Sequence, residues 1–194
     1  MPVYFLTGQH RPGVTQRSGA PLKPATTAGP APSPRGAPVA GAPTNPLAGR
    51  FRAFAAEQSK YRLAAAEAMP EAKYGFKPTA AQWTFGKIIT HIAGDNLITC
   101  GAIAGEKPTE HAKVSPTASK AEQVSALKSS LEFCTAAIAK ITDAQMADSV
   151  SYYGSPALRV DALIGLVEDW SDHYSQQAGY LRLNGILPPT AKKS

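Results

Sequence analysis

Apolar positions recur at helical spacing in four stretches of the chain, separated by polar or turn-forming segments. The first stretch opens at Asn45-Pro46, a capping residue followed by a proline at the first helical position. Leu47, Phe51, Phe54, Ala55, Tyr61, Leu63 and Ala65 then run through an alanine-rich segment that stops before Pro70. Residues 71–82 carry Gly75 and Pro78 and read as a loop. A second helix is predicted from about Thr84 to Gly105, with Phe85, Ile88, Ile89, Ile92 and Asn96 on helical spacing and Gly105 and Pro108 as its stop. Ser119-Lys-Ala-Glu122 is a capping box, and Val124, Leu127, Leu131, Ile138 and Ile141 continue a third helix behind it. A turn-rich connection spans residues 143–156. The fourth helix is predicted from about Leu158 to Asn184, with Gly185 as a left-handed stop and Pro188-Pro189 beyond. No alternating strand pattern of convincing length and no internal repeat is present. The pattern predicts an all-α protein, a four-helix bundle.

Composition divides the chain in two. Residues 1–46 hold ten of the seventeen prolines and six of the sixteen glycines, and four Lys/Arg with no acid. Such a segment cannot bury enough apolar surface to offset the entropy of ordering, so residues 1–44 are read as a disordered Pro/Gly/Ala-rich tail and 45–190 as the bundle. The net charge of +6 belongs mostly to that tail, because the remainder is nearly balanced. The domain is therefore not a basic groove, and no nucleic-acid partner is expected. No run approaches the roughly 18 apolar residues of a membrane span, so no membrane partner is expected either. Val3-Tyr4-Phe5-Leu6 is too short for a secretory apolar region. The tail also has the acid-free composition of a transit peptide, without its amphipathic pattern, or of upstream sequence read from a misassigned start. As it stands the chain reads as cytoplasmic, and as exported if that start is wrong.

Polar chemistry is sparse. His111 falls in the polar loop after Pro108 and is expected to be solvated. His91 and His173 sit inside helices two and four, each with a carboxylate one turn away: Asp95 follows His91 by four residues, and Asp169 precedes His173 by four. Residues four apart share a helix face, so either pair can present two ligands in one direction. On the fourth helix, Val160, Ile164, Val167, Ser171, Tyr174 and Ala178 form one stripe. Asp169, His173, Gln176 and Tyr180 lie roughly opposite with Ala162 and Leu166, on a face that is either plain surface or a polar pocket. Two imidazoles and a carboxylate would leave coordination positions open, as catalytic metal sites do. Cys100 and Cys134, with no Cys-x-x-Cys motif, are either buried thiols or, in an exported protein, a disulfide. Trp83 and Trp170 are core or pocket-wall residues. No nucleophile elbow, P-loop or dinucleotide fingerprint occurs.

The stretches Met69-Pro-Glu-Ala-Lys-Tyr-Gly-Phe-Lys-Pro78, Thr84-Phe-Gly-Lys-Ile-Ile-Thr-His-Ile-Ala-Gly94, Asp169-Trp-Ser-Asp-His-Tyr-Ser-Gln176 and Tyr180-Leu-Arg-Leu-Asn-Gly-Ile-Leu-Pro-Pro189 together resemble the DinB-like family. The resemblance covers about residues 45–190. It implies an antiparallel four-helix bundle, often a homodimer, holding a divalent metal (Zn, Ni or Fe) between a histidine on the second helix and a His-x-x-x-His pair on the fourth. His91 and His173 match two of those ligands. The third position holds Asp169, which changes a three-histidine set into two histidines and a carboxylate, with Gln176 and Tyr180 placed to orient the ligands or a substrate. Activities known in the family imply a thiol-dependent transferase or a metal-dependent hydrolase or isomerase acting on a small molecule. The alternative is a dimeric bundle that binds metal or a small molecule without turnover. The resemblance also extends to a subgroup commonly exported.

Overall fold

Local chemistry sets the ends of the four helices. A computed structural model describes residues 44–106 and 114–191, so nearly all of the tail, and His111, lie outside the described residues. The helices are α1 (Pro46–Ala68), α2 (Phe85–Ala104), α3 (Lys120–Ala139) and α4 (Arg159–Leu183). Thr84 Oγ1 accepts from the Lys87 amide at 3.1 Å and starts α2, which stops where Gly105 takes a φ of 74°. The Ser119–Glu122 box forms as expected at the head of α3. Pro46 does open α1, but Asn45 does not cap it with its side chain. Asp143 does so instead, its carboxylate accepting from the amides of Leu47 and Ala48 at 3.1 and 2.8 Å. Asn45 Oδ1 accepts in turn from the Asp143 amide at 2.9 Å. A charged cap supplied from across the bundle satisfies the free amides and the positive helix end together.

One expectation is corrected. The connection after α3 is not turns alone but contains a hairpin, β1 (Ser149–Tyr152) paired antiparallel with β2 (Ser155–Leu158). Tyr153 and Gly154 form its two-residue turn with φ of 47° and 79°. Positive φ at both positions is what a tight right-twisted hairpin requires. Pro156 sits in the second strand, and a two-stranded sheet tolerates it because both strands are edges.

The register of inter-helix contacts gives the order of the bundle. Asn96 bonds Ser130 and Cys100 bonds Cys134, so α2 and α3 run parallel. Trp83 meets Tyr180 and Asn96 meets Trp170, so α2 and α4 run antiparallel. The head of α3 meets the tail of α1 through Lys120, whose Nζ donates to the carbonyls of Glu67 and Met69. Phe54 stacks on Trp170 and Tyr61 packs on Tyr174, so α1 and α4 run parallel. The bundle is therefore up-down-down-up, with α1 and α2 on one diagonal and α3 and α4 on the other. Its core holds Phe85, Ile88, Ile89, Ile92, Ile103, Leu127, Leu131, Ile138, Leu163, Leu166 and Trp170, all nearly or fully buried. Of the two alternatives for the cysteines, the structure has the disulfide: Cys100 and Cys134 are bonded with Cα atoms 5.0 Å apart. Leu47, read from the sequence among the apolar positions of α1, is exposed.

Candidate metal centre

The rotation of α4 decides which of its faces meets α2. Trp170 is fully buried and its indole donates to Asn96 Oδ1 at 2.7 Å, while Asn96 Nδ2 donates to Ser130 at 2.9 Å. A buried amide bonded through both its oxygen and its nitrogen fixes orientation strongly, because rotation of α4 would orphan polar groups in the core. With Trp170 so placed, its neighbour Asp169 and the next-turn His173 turn toward His91 on α2. Of the two readings open for this face, plain surface is set aside, because the face turns inward: Ala162, Leu166, His173 and Tyr180 are buried, whereas Ile164 and Ser171 on the opposite stripe are exposed. Ala178, counted with that stripe, is buried.

Three side chains converge. His173 Nε2 lies 3.1 Å and His91 Nε2 3.5 Å from the same oxygen, Asp169 Oδ1. The imidazole rings meet edge to face with centroids 4.7 Å apart, and one donor atom from each of the three residues falls within 4.8 Å of the others. The side chains are 30%, 19% and 9% exposed for His91, Asp169 and His173, so the cluster opens to solvent on the α2 side. Asp95, the rival carboxylate, is drawn away: it accepts from the Tyr153 phenol on the hairpin and from Thr99. Gln176 touches the cluster, its Oε1 lying 3.3 Å from His173 Nδ1. Tyr180 does not. Its phenol donates to the Trp83 carbonyl at 2.9 Å, because the last turn of α4 has passed the cluster and faces the loop before α2.

Gln176 Nε2 donates to Asp172 at 2.8 Å, which leaves Oε1 facing His173 Nδ1 at 3.3 Å, where it accepts when Nδ1 carries the ring proton. In a neutral ring Nε2 then bears a lone pair, and it faces a carboxylate oxygen at 3.1 Å. Two acceptors at that distance repel unless a proton or a cation sits between them. Burial opposes ionisation of Asp169, but the hydrogen bonds and charge of His173 and His91 outweigh it and hold the pKa down to about 2. Burial likewise works against protonated His173, yet Asp169, with Gln176 and Asp172, raises it above 6.5.

Two residues of this region carry no motif in the sequence. Trp83 is 44% exposed, and its indole packs edge-on to His91 and stacks on His173, with centroids 5.0 and 6.1 Å away. Its exposure places it at the edge of the cluster rather than in the core. Arg62 on α1 is fully buried, its guanidinium 4.7 Å over the Trp170 ring and its Nη1 bound to Gln58. Burial pulls its pKa down to about 9 against the charge of Asp169. Nothing short of the packing shows that an arginine on an alanine-rich helix points inward.

The family model of the DinB superfamily matches residues 54–174, and the chain belongs to that superfamily. No curated protein matches the sequence. Among solved structures, a DinB-like protein from Bacillus subtilis is similar at a TM-score of 0.61 and 15% identity, over 74% of this chain and 99% of that one. A DinB-like protein from Bacillus cereus gives 0.60 and 15%, over 72% and 93%. A conserved protein from Enterococcus faecalis gives 0.57 and 15%, over 71% and 96%. At such identities the likeness is one of fold.

Proposed function

We propose that the chain binds one divalent metal ion through His91, Asp169 and His173 and uses it in a thiol-dependent transfer or a hydrolysis of a small molecule. The observation that carries the reading is the convergence of His173 Nε2 and His91 Nε2 on one oxygen, Asp169 Oδ1, at 3.1 and 3.5 Å. Two further features fit a cation there. Asp169 Oδ2 is buried and accepts no hydrogen bond among the described residues, an arrangement that costs free energy unless positive charge lies close. The free ring nitrogen of His173 is fixed by Gln176, as the outer nitrogen of a metal-bound histidine ordinarily is. Imidazole with carboxylate suits Zn, Ni and Fe alike.

A divalent ion in such a setting lowers the pKa of a coordinated water or thiol and so supplies a nucleophile near neutral pH. The chain's part is to fix the donors, to hold His173 in the ligating tautomer through Gln176, and to limit solvent around the half-open cluster. The second reading is a bundle that binds metal without turnover. The donor set supports it equally, because the three donors would be occupied by the ion and Gln176, a neutral amide, does not transfer protons. Metal-loaded protein offered thiols with electrophiles, and hydrolysable amides and esters, separates the two. Turnover that disappears in His173→Ala supports catalysis, and tight binding with no turnover supports the second reading.

A further inference from the structure

Trp83 lies in the loop between α1 and α2, and its indole contacts both imidazoles at once, edge-on to one and stacked on the other. Although nearly half exposed, it is tied at its backbone: the Tyr180 phenol, almost completely buried, donates to its carbonyl at 2.9 Å. The Tyr180 ring is in turn wedged against Phe76 and Phe85, with centroids 5.9 and 6.4 Å away. The loop is closed at its base by backbone bonds from Phe85 to Phe76 and from Gly86 to Tyr74, at 2.9 and 2.8 Å. Lys87 Nζ lies over the indole, 5.4 Å from its centroid.

From this chain of contacts we infer that Trp83 is a positioning residue for both histidines, and that Tyr180 sets its place, so that a phenol remote from the ligands controls how well they hold a metal. The inference rests on the proposed metal site. The physical reason is preorganisation: His91 meets Asp169 at Nε2 and has no hydrogen-bond partner at Nδ1 among the described residues, so packing against Trp83 adds to what limits its rotamers. His173 has Gln176 as well and depends on Trp83 less. Fixing an imidazole before binding spares the ion the entropy of ordering it.

The test is a double-mutant cycle on the full chain, read by calorimetric titration with Zn²⁺ and by the histidine ring-proton shifts of the metal-free protein. Trp83→Ala is expected to weaken Zn²⁺ binding about tenfold, at the low end of what loss of an outer-sphere partner costs. Trp83→Phe, which keeps a ring against the imidazoles, should stay within about threefold, since most of the aromatic contact remains. Tyr180→Phe should weaken binding several-fold, and the double variant Trp83→Ala/Tyr180→Phe no more than Trp83→Ala alone, because both act through one contact. The ring-proton shifts of His91 and His173 should both move in Trp83→Ala and in Tyr180→Phe, while the melting of each variant stays cooperative. Additive losses in the cycle, or unchanged ring shifts in Tyr180→Phe, would overturn the coupling. Wild-type affinity in Trp83→Ala would overturn the role of Trp83 outright. Failure of the unmodified chain to bind Zn²⁺ is a different result, and counts against the metal site itself.

Discussion

Replacing Asp169 by asparagine keeps the shape of the cluster and removes the charge at its centre, and the consequence should be a change in how stability depends on pH. In the metal-free protein, Asp169 has a pKa of about 2 against 3.8 for a free carboxyl. That difference of nearly two units corresponds to about 2 kcal/mol in favour of the folded state, present above pH 3.8 and lost as pH falls through the folded value. His173 is shifted the other way, upward from 6.5, so its contribution is complete below pH 6.5 and is lost as pH rises through its folded pKa. The metal-free chain should therefore be most stable between about pH 4 and pH 6.5 and lose stability above that window. In Asp169→Asn the carboxylate that raises His173 is gone, and burial is opposed only by Gln176 and Asp172. The decline above pH 6.5 should then vanish or reverse. Urea unfolding of chelator-treated protein, followed by far-ultraviolet circular dichroism from pH 5 to pH 8, reads this directly. The slope is the diagnostic, because an imperfectly bonded asparagine amide would lower stability equally at every pH. An Asp169→Asn variant with the same decline as the parent would refute the electrostatic account of the cluster.

Three further outcomes follow from the fold. The disulfide closes a loop with a sequence separation of 34, so Cys100→Ala/Cys134→Ala should lose up to about 4 kcal/mol by the chain-entropy relation, checked by chemical denaturation with an unchanged stability as the contrary result. A Cβ at Gly86 would lie 2.9 Å from both the Pro116 carbonyl and Gln123 Oε1, so Gly86→Ala should cost about 1–3 kcal/mol despite alanine's better helix propensity, visible as a lower melting temperature. Asp143→Ala removes the cap from the first turn of α1 and should cost about 1–2 kcal/mol, with faster amide exchange at Leu47 and Ala48 and little change elsewhere.

The helices and the pairing of Asp169 with His173 on one face were legible because their signals are local or periodic. Ser119 and Glu122 announce α3, Thr84 and Gly105 bracket α2, and the four-residue spacing of Asp169 and His173 puts both on one face. What the sequence could not show is what depends on contacts between distant segments. Asn45 has the composition of a cap, yet Asp143 wins the position because a carboxylate is the better partner for a helix N-terminus. The hairpin escaped because its strands have four residues each and one contains Pro156, while the Tyr-Gly turn is weaker than Asn-Gly as a signal. From spacing alone Asp95 and Asp169 were equal candidates, and the Tyr153 phenol, presented by that unforeseen hairpin, separates them. The pairing of α2 with α3 and the inward turn of Arg62 are likewise products of packing order, which periodicity does not encode.

The central claim is that His91, Asp169 and His173 form one metal site. Its most direct test is calorimetric titration of Zn²⁺ into the untagged, chelator-stripped full chain, alongside His173→Ala, Asp169→Ala and Asp95→Ala. The account predicts one ion per chain, weaker binding at lower pH because the imidazoles must give up protons, loss of binding in His173→Ala and Asp169→Ala, and parental binding in Asp95→Ala. Absence of binding by the parent chain would contradict it, and so would an Asp95→Ala variant that loses the ion while Asp169→Ala keeps it.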